Sequence, residues 1–133
     1  MKYLWLLAAL LSLSAHAYTP QELRDDCQAA ADDMFAPKES SDPKHQVRSA
    51  RCQAYVSGFA DGYAVSDYLA EQVGVRLNAF CLPKGPDLAM RLVRAVIIHI
   101  ERTPPNSSTG TASLVAGGLV KAFPCSDSLE TRK

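Results

Sequence analysis

The chain has 133 residues, of which 47% are hydrophobic, with 14 basic and 14 acidic side chains. That length suits one domain. The absence of a basic excess argues against nucleic acid as the main partner, because nothing is left over to neutralise a phosphate backbone.

Residues 1–17, "MKYLWLLAALLSLSAHA", read as a secretory signal peptide: a lysine at position 2, an apolar stretch through Leu11, and a small-x-small ending at Ala15-His16-Ala17. Cleavage is expected after Ala17, which leaves one domain over residues 18–133 and removes Trp5, the only tryptophan. The apolar stretch is too short to span a bilayer. Cys27 lies too far past the cut for lipid attachment. The expected product is therefore exported and soluble, without a membrane anchor, and carries a net charge of about −1.

Proline and glycine clusters at 37–43, 83–86 and 103–110 divide the remainder into four helix-length pieces. The first, about 20–36, carries Leu23, Cys27, Ala30 and Met34 as a helical stripe, with Thr19 as cap and Pro20 in the first turn. The second, about 46–72, shows Cys52, Tyr55, Val56, Phe59, Tyr63 and Ala70 at spacings of three or four. The third, about 87–102, starts at Asp87 as N-cap and turns Leu88, Leu92, Val93, Val96, Ile97 and Ile100 to one broad face. The fourth, about 109–122, has Ala112, Val115, Leu119 and Phe123 in a stripe. Gly117 and Gly118 each cost it close to 1 kcal/mol of helix propensity, a cost that a closely passing backbone would justify. No alternating strand pattern appears. The expected fold is all-α, a small four- to five-helix domain.

Four cysteines, Cys27, Cys52, Cys81 and Cys125, in a small exported chain read as two disulfides. No close Cys pair and no ligand-like histidine spacing supports a metal site, and no cofactor is expected. Three connectivities are open. Antiparallel helical hairpins favour Cys27–Cys52, on either side of the first loop, and Cys81–Cys125, which bracket the third and fourth helices.

Catalytic motifs are missing: no G-x-S-x-G, no H-E-x-x-H and no phosphate-cradling glycine loop. Thiols spent in bridges leave no cysteine nucleophile, and His99 reads as a structural histidine. The chain is expected to work by binding rather than as an enzyme.

Three segments, "CQAYVSGFADG" (52–62), "FCLPKGPDLAMRLVRAVIIHIERTP" (80–104) and "LVAGGLVKAFPC" (114–125), resemble in order and spacing the Tai-type, or Rap, family of periplasmic immunity proteins of type VI secretion. The resemblance implies a disulfide-stapled helical protein of the periplasm, often a homodimer. Such a protein occludes the cleft of an NlpC-type cell-wall amidase effector delivered by sibling cells. On the matched positions, Gly58 and Gly62 would allow close helix approach, and Phe80 to Pro83 with Phe123 to Cys125 form the staple. "GPD" stands where that family more often starts a helix with Val-Thr, and "ERTPPNSSTG" is richer in Pro, Ser and Thr than its counterparts. The family provides no shared contact motif. From the residues alone, two elements suit a partner. One is the loop Thr103, Pro104, Pro105, Asn106, Ser107 and Ser108, stiffened by its prolines. The other is Arg91, Arg94 and Ile98, outside the core stripe of the third helix. The alternative readings are a periplasmic stress chaperone or envelope-complex subunit with no toxin partner, and a small-ligand or metal binder.

Overall fold

The computed structural model describes residues 17–35, 42–104 and 109–125. Apart from Ala17, the expected signal peptide lies outside them. Four helices make up the described chain: α1 (Pro20–Phe35), α2 (Pro43–Gln72), α3 (Leu88–Arg102) and α4 (Thr111–Ala122), with no strand among the described residues.

Local sequence explains each start. At α1, Thr19 and Glu22 form a reciprocal capping box: the Thr19 N–H and hydroxyl donate to the Glu22 carboxylate at 2.8 Å each, and the Glu22 N–H donates to the Thr19 hydroxyl oxygen at 3.2 Å. Helix α2 begins at Pro43, earlier than the sequence suggests. Pro43 reads as a breaker, yet at a first helical position its missing N–H has no intrahelical partner to lose. Asp42 caps it by accepting from the Lys44 N–H at 3.0 Å. Asp87 holds the N-cap position of α3, but its side chain makes no cap hydrogen bond.

The two disulfides join Cys27 to Cys52 and Cys81 to Cys125. Helices α1 and α2 run antiparallel: Tyr18 meets Tyr55, Cys27 meets Cys52, and Asp33 meets His45. Helices α3 and α4 form the second hairpin. Helix α3 packs on α4 and also on α1 and α2. Between the hairpins lies one apolar core that includes Leu23, Val56, Leu92, Val93, Val96, Leu114, Val115 and Leu119. The stripe of α4 is rotated from the one read in the sequence. Leu114, Val115, Gly118 and Leu119 are buried, whereas Ala112 is exposed.

A buried carboxylate completes the frame. Asp26, 3% exposed, accepts from the Tyr18 hydroxyl at 2.7 Å and meets Arg51 at 3.1 Å and Arg48 at 3.5 Å. Burial, then the bond to Asp26, holds the Tyr18 hydroxyl well above its ordinary pKa and so fully protonated. The Thr111 hydroxyl donates to the Tyr18 carbonyl at 2.6 Å, fastening the start of α4 to the residue just before the α1 cap.

The glycines divide by purpose. A Cβ on Gly118 would lie 3.1 Å from the Val96 Cα and 3.3 Å from the Ala95 carbonyl oxygen, so this glycine lets two backbones approach. At Gly58 and Gly62 nothing lies within 4 Å among the described residues, so the close approach expected there does not occur among them. Gly118→Ala is therefore expected to lower Tm: overpacking costs roughly 1–3 kcal/mol and outweighs about 1 kcal/mol of helix propensity regained. Gly58→Ala meets no obstacle and raises stability by roughly 0.5–1 kcal/mol. Thermal unfolding followed by circular dichroism reads both signs.

Candidate partner-binding surface

Helix α3 turns one stripe to the core and the opposite one to solvent. Arg91, Arg94 and Ile98, spaced by three and four, lie on that outer stripe, and Arg102 extends it. All four are exposed, Ile98 by 38%. The Arg94 guanidinium stands 5.0 Å from the Phe35 ring centroid and that of Arg91 5.9 Å from Phe123. Neither arginine, nor Arg102, has a carboxylate partner among the described residues. Cation–π contacts at exposed sites contribute only about 0.5–1 kcal/mol each. They fix the direction of the side chains while leaving the charge unneutralised.

Concave surface flanks the stripe on both sides. Toward α1 and α2 runs a groove of about 450 Å³ over Ala30, Met34, Ala89, Met90 and Val93, edged by Asp33, Gln53 and Asp87. It continues into a hollow bounded by Phe35, Arg91 and Arg94. Phe35 and Met90 are each more than half exposed there. Toward α4 is a smaller hollow of about 200 Å³ between Ala95, Ile98, His99, Arg102, Gly118 and Lys121. Its floor is shallow because Gly118 brings α4 so close to α3. Every ionisable group that lines it is a base.

Of the partner-binding residues expected from sequence, Arg91, Arg94 and Ile98 share this continuous face. Thr103 and Pro104 are exposed at its end, where the Thr103 N–H donates to the His99 carbonyl at 2.9 Å. Pro105, Asn106, Ser107 and Ser108 lie outside the described residues. Sequence reasoning missed Phe35, Met90, Arg102 and Lys121. A helical wheel of α3 carries the signal for Met90 and Arg102, but Phe35 and Lys121 join only through tertiary packing.

All four cysteines are in disulfides, so no thiolate remains. Asp33 lies between Ser49 and His45, accepting from both, and these bonds, Ser49 first, hold its carboxyl below the usual range. The imidazole is thus not interposed between acid and hydroxyl, as base activation of a serine requires. Ser49 is itself 3% exposed and also accepts from the Gln53 amide at 3.2 Å.

The remaining histidine has a different electrostatic role. The Lys121 ammonium, which can only donate, lies 3.4 Å from the His99 Nδ1, so neutral His99 carries its proton on Nε2. Burial, then the Lys121 charge, lowers the His99 pKa below 6.5. The sign follows from linkage: the unfolded chain takes up this proton first, so this group's stability contribution is complete above 6.5 and is lost as pH falls through the folded value. Lys121→Ala should raise the His99 pKa while leaving it below 6.5, because burial is the larger cause. An NMR titration of the imidazole measures this; an unchanged value would refute the coupling.

No curated protein and no solved structure matches the chain. A family model described as Rap1a immunity proteins matches residues 19–125, from the α1 cap to the second half of the last disulfide. That span takes in all four described helices and both bridges. The chain belongs to the Rap1a immunity protein family.

Proposed function

We propose that this protein protects the cell that makes it by binding a type VI secretion effector, an NlpC-type peptidoglycan amidase, and blocking its substrate cleft in the periplasm. Family membership over residues 19–125 is the observation that carries the reading. Both disulfides support an oxidising compartment. No described helix is long and apolar enough to cross a membrane. The signal peptide expected over residues 1–17 would provide the export route. The effector class and a homodimeric assembly come from the sequence resemblance.

The outer face of α3 is the surface we assign to the effector. It combines unneutralised positive charge with exposed Phe35, Met90 and Ile98, and so suits a partner with an acidic rim around an apolar contact. The loop that starts at Thr103 and Pro104 belongs to the same proposal as the element that enters the cleft. Occlusion requires no catalytic group on the inhibitor.

The test is co-expression with an NlpC-type amidase effector, taken from the neighbouring genes where they encode one, sent to the periplasm. The expected result is rescue from lysis and co-purification of the two proteins. Replacing Arg91 and Arg94 together by Glu should weaken binding by about a hundredfold or more, with faster loss at low salt and little change in Tm. Lysis without rescue, together with no complex by isothermal titration, would overturn the reading.

A further inference from the structure

Gly117 and Gly118 are adjacent, and each serves a different close approach between α4 and α3. Gly118 admits the α3 backbone, whereas Gly117 admits a side chain. A Cβ on Gly117 would lie 2.7 Å from the His99 Nε2 and 3.3 Å from its Cε1, so the imidazole rests on bare backbone. The pair thus seats a half-buried His99 ring against α4, at one wall of the hollow between the two helices. From there its Nδ1 lies 3.4 Å from the Lys121 ammonium. Arg102, one turn beyond His99 on α3, lines the same hollow.

Charge at this place is one-sided. Helix α3 presents His99 and Arg102, α4 presents Lys121, and among the described residues neither α1 nor α2 contributes to the lining. No carboxylate lines the hollow, and none of the three bases has a carboxylate partner among the described residues. The rest of the wall is Ala95, Ile98, Gly118 and Ala122, whose side chains carry no acceptor. At about 200 Å³ the hollow falls below the range of small-molecule pockets and fits a single side chain. We propose that it is a carboxylate subsite, which receives one Asp or Glu side chain of the protein partner and takes up a proton on His99 as it does so. The proposal deepens the assignment of the neighbouring α3 face to an effector, and rests on that reading only for the identity of the partner.

Two nitrogens 3.4 Å apart can both donate to one oxygen about 2.8 Å from each, which leaves the second carboxylate oxygen for the Arg102 guanidinium. Lys121 and Arg102 donate as they stand. Neutral His99 carries its proton on Nε2, so the Nδ1 that faces Lys121 must first gain one, and that proton comes from solvent. Burial and the Lys121 charge both oppose this in the free protein. A carboxylate placed between the two bases reverses the second effect, because the nearest charge to the imidazolium becomes an opposite one. Binding and protonation are therefore linked, and affinity rises as pH falls through the His99 pKa.

An NMR titration of the isolated, disulfide-bonded protein with a capped Ala-Glu-Ala peptide tests this at constant ionic strength, with the Ala-Gln-Ala peptide as the uncharged control. The Glu peptide is expected to raise the His99 pKa and to bind several times more tightly at about pH 5.5 than at about pH 7.5, a range in which its own carboxylate stays ionised. His45, held by Asp33 at 2.7 Å away from this hollow, should not respond. Exchanging both exposed bases, Arg102→Met with Lys121→Met, should abolish the response of His99 and leave the helical circular dichroism unchanged. A His99 signal unmoved at tens of millimolar peptide, where even a millimolar site is filled, would overturn the proposal. So would an equal shift with the Gln peptide, an equal shift at His45, or a response that survives the double exchange. No effector enters this titration, so its failure leaves the effector reading standing, and lysis without rescue in co-expression overturns that reading alone.

Discussion

Two covalent links set the terms for everything else in this molecule. A small four-helix domain buries a modest core, and the net stability of such a domain is only several kcal/mol. Cys27–Cys52 closes 25 residues and Cys81–Cys125 closes 44. On the chain-entropy account these restrict the unfolded state by roughly 3.5 and 4 kcal/mol, as much as the whole net stability expected of the domain. With each hairpin tied, the core can consist of small and medium residues. Among fully buried side chains the largest are leucines and valines, with no aromatic ring. Of the described aromatic residues only Phe80 is buried, and the partly buried Tyr63 stacks on it with centroids 3.9 Å apart.

Tying the hairpins at their edges also frees helix surface. A small domain held by burial alone needs most of its apolar residues inside. Here Phe35 of α1 and Met90 of α3 stay exposed at the margin of the α3 face, and α2 leaves Val65, Tyr68 and Leu69 outside, with Val73 at its end. These exposed residues occupy different helices with different character. The α3 face is basic with apolar flanks, whereas the α2 face is apolar.

Much of this was legible in the sequence, and the exceptions share a cause. Helix count, the cysteine pairing and the outer face of α3 all depend on local periodicity and on hairpin order. The start of α2 was misplaced because Pro43 is ambiguous between ending one element and beginning the next. The burial of Asp26 was not legible, since nothing local says that Tyr18, Arg48 and Arg51 converge on it from two other parts of the chain. The exposed apolar face of α2 was hidden for the opposite reason. Its apolar residues continue the helical period of the buried segment, and only the shortness of the neighbouring helices exposes them. The rationale offered for Gly118 was a local cost seeking a tertiary reason, and the Val96 backbone provides it.

The Tyr18–Thr111 contact has a consequence for the order in which the molecule comes apart. It joins residues 93 apart, while each disulfide keeps its own hairpin closed when the two hairpins separate. Contacts of long sequence separation yield the least return for the chain entropy they consume. The seam between hairpins, with Tyr18 at its edge, is the boundary that neither disulfide crosses, so it is held by the core and by contacts such as this one. Opening there detaches the residue that follows the expected processing site before it disturbs either hairpin.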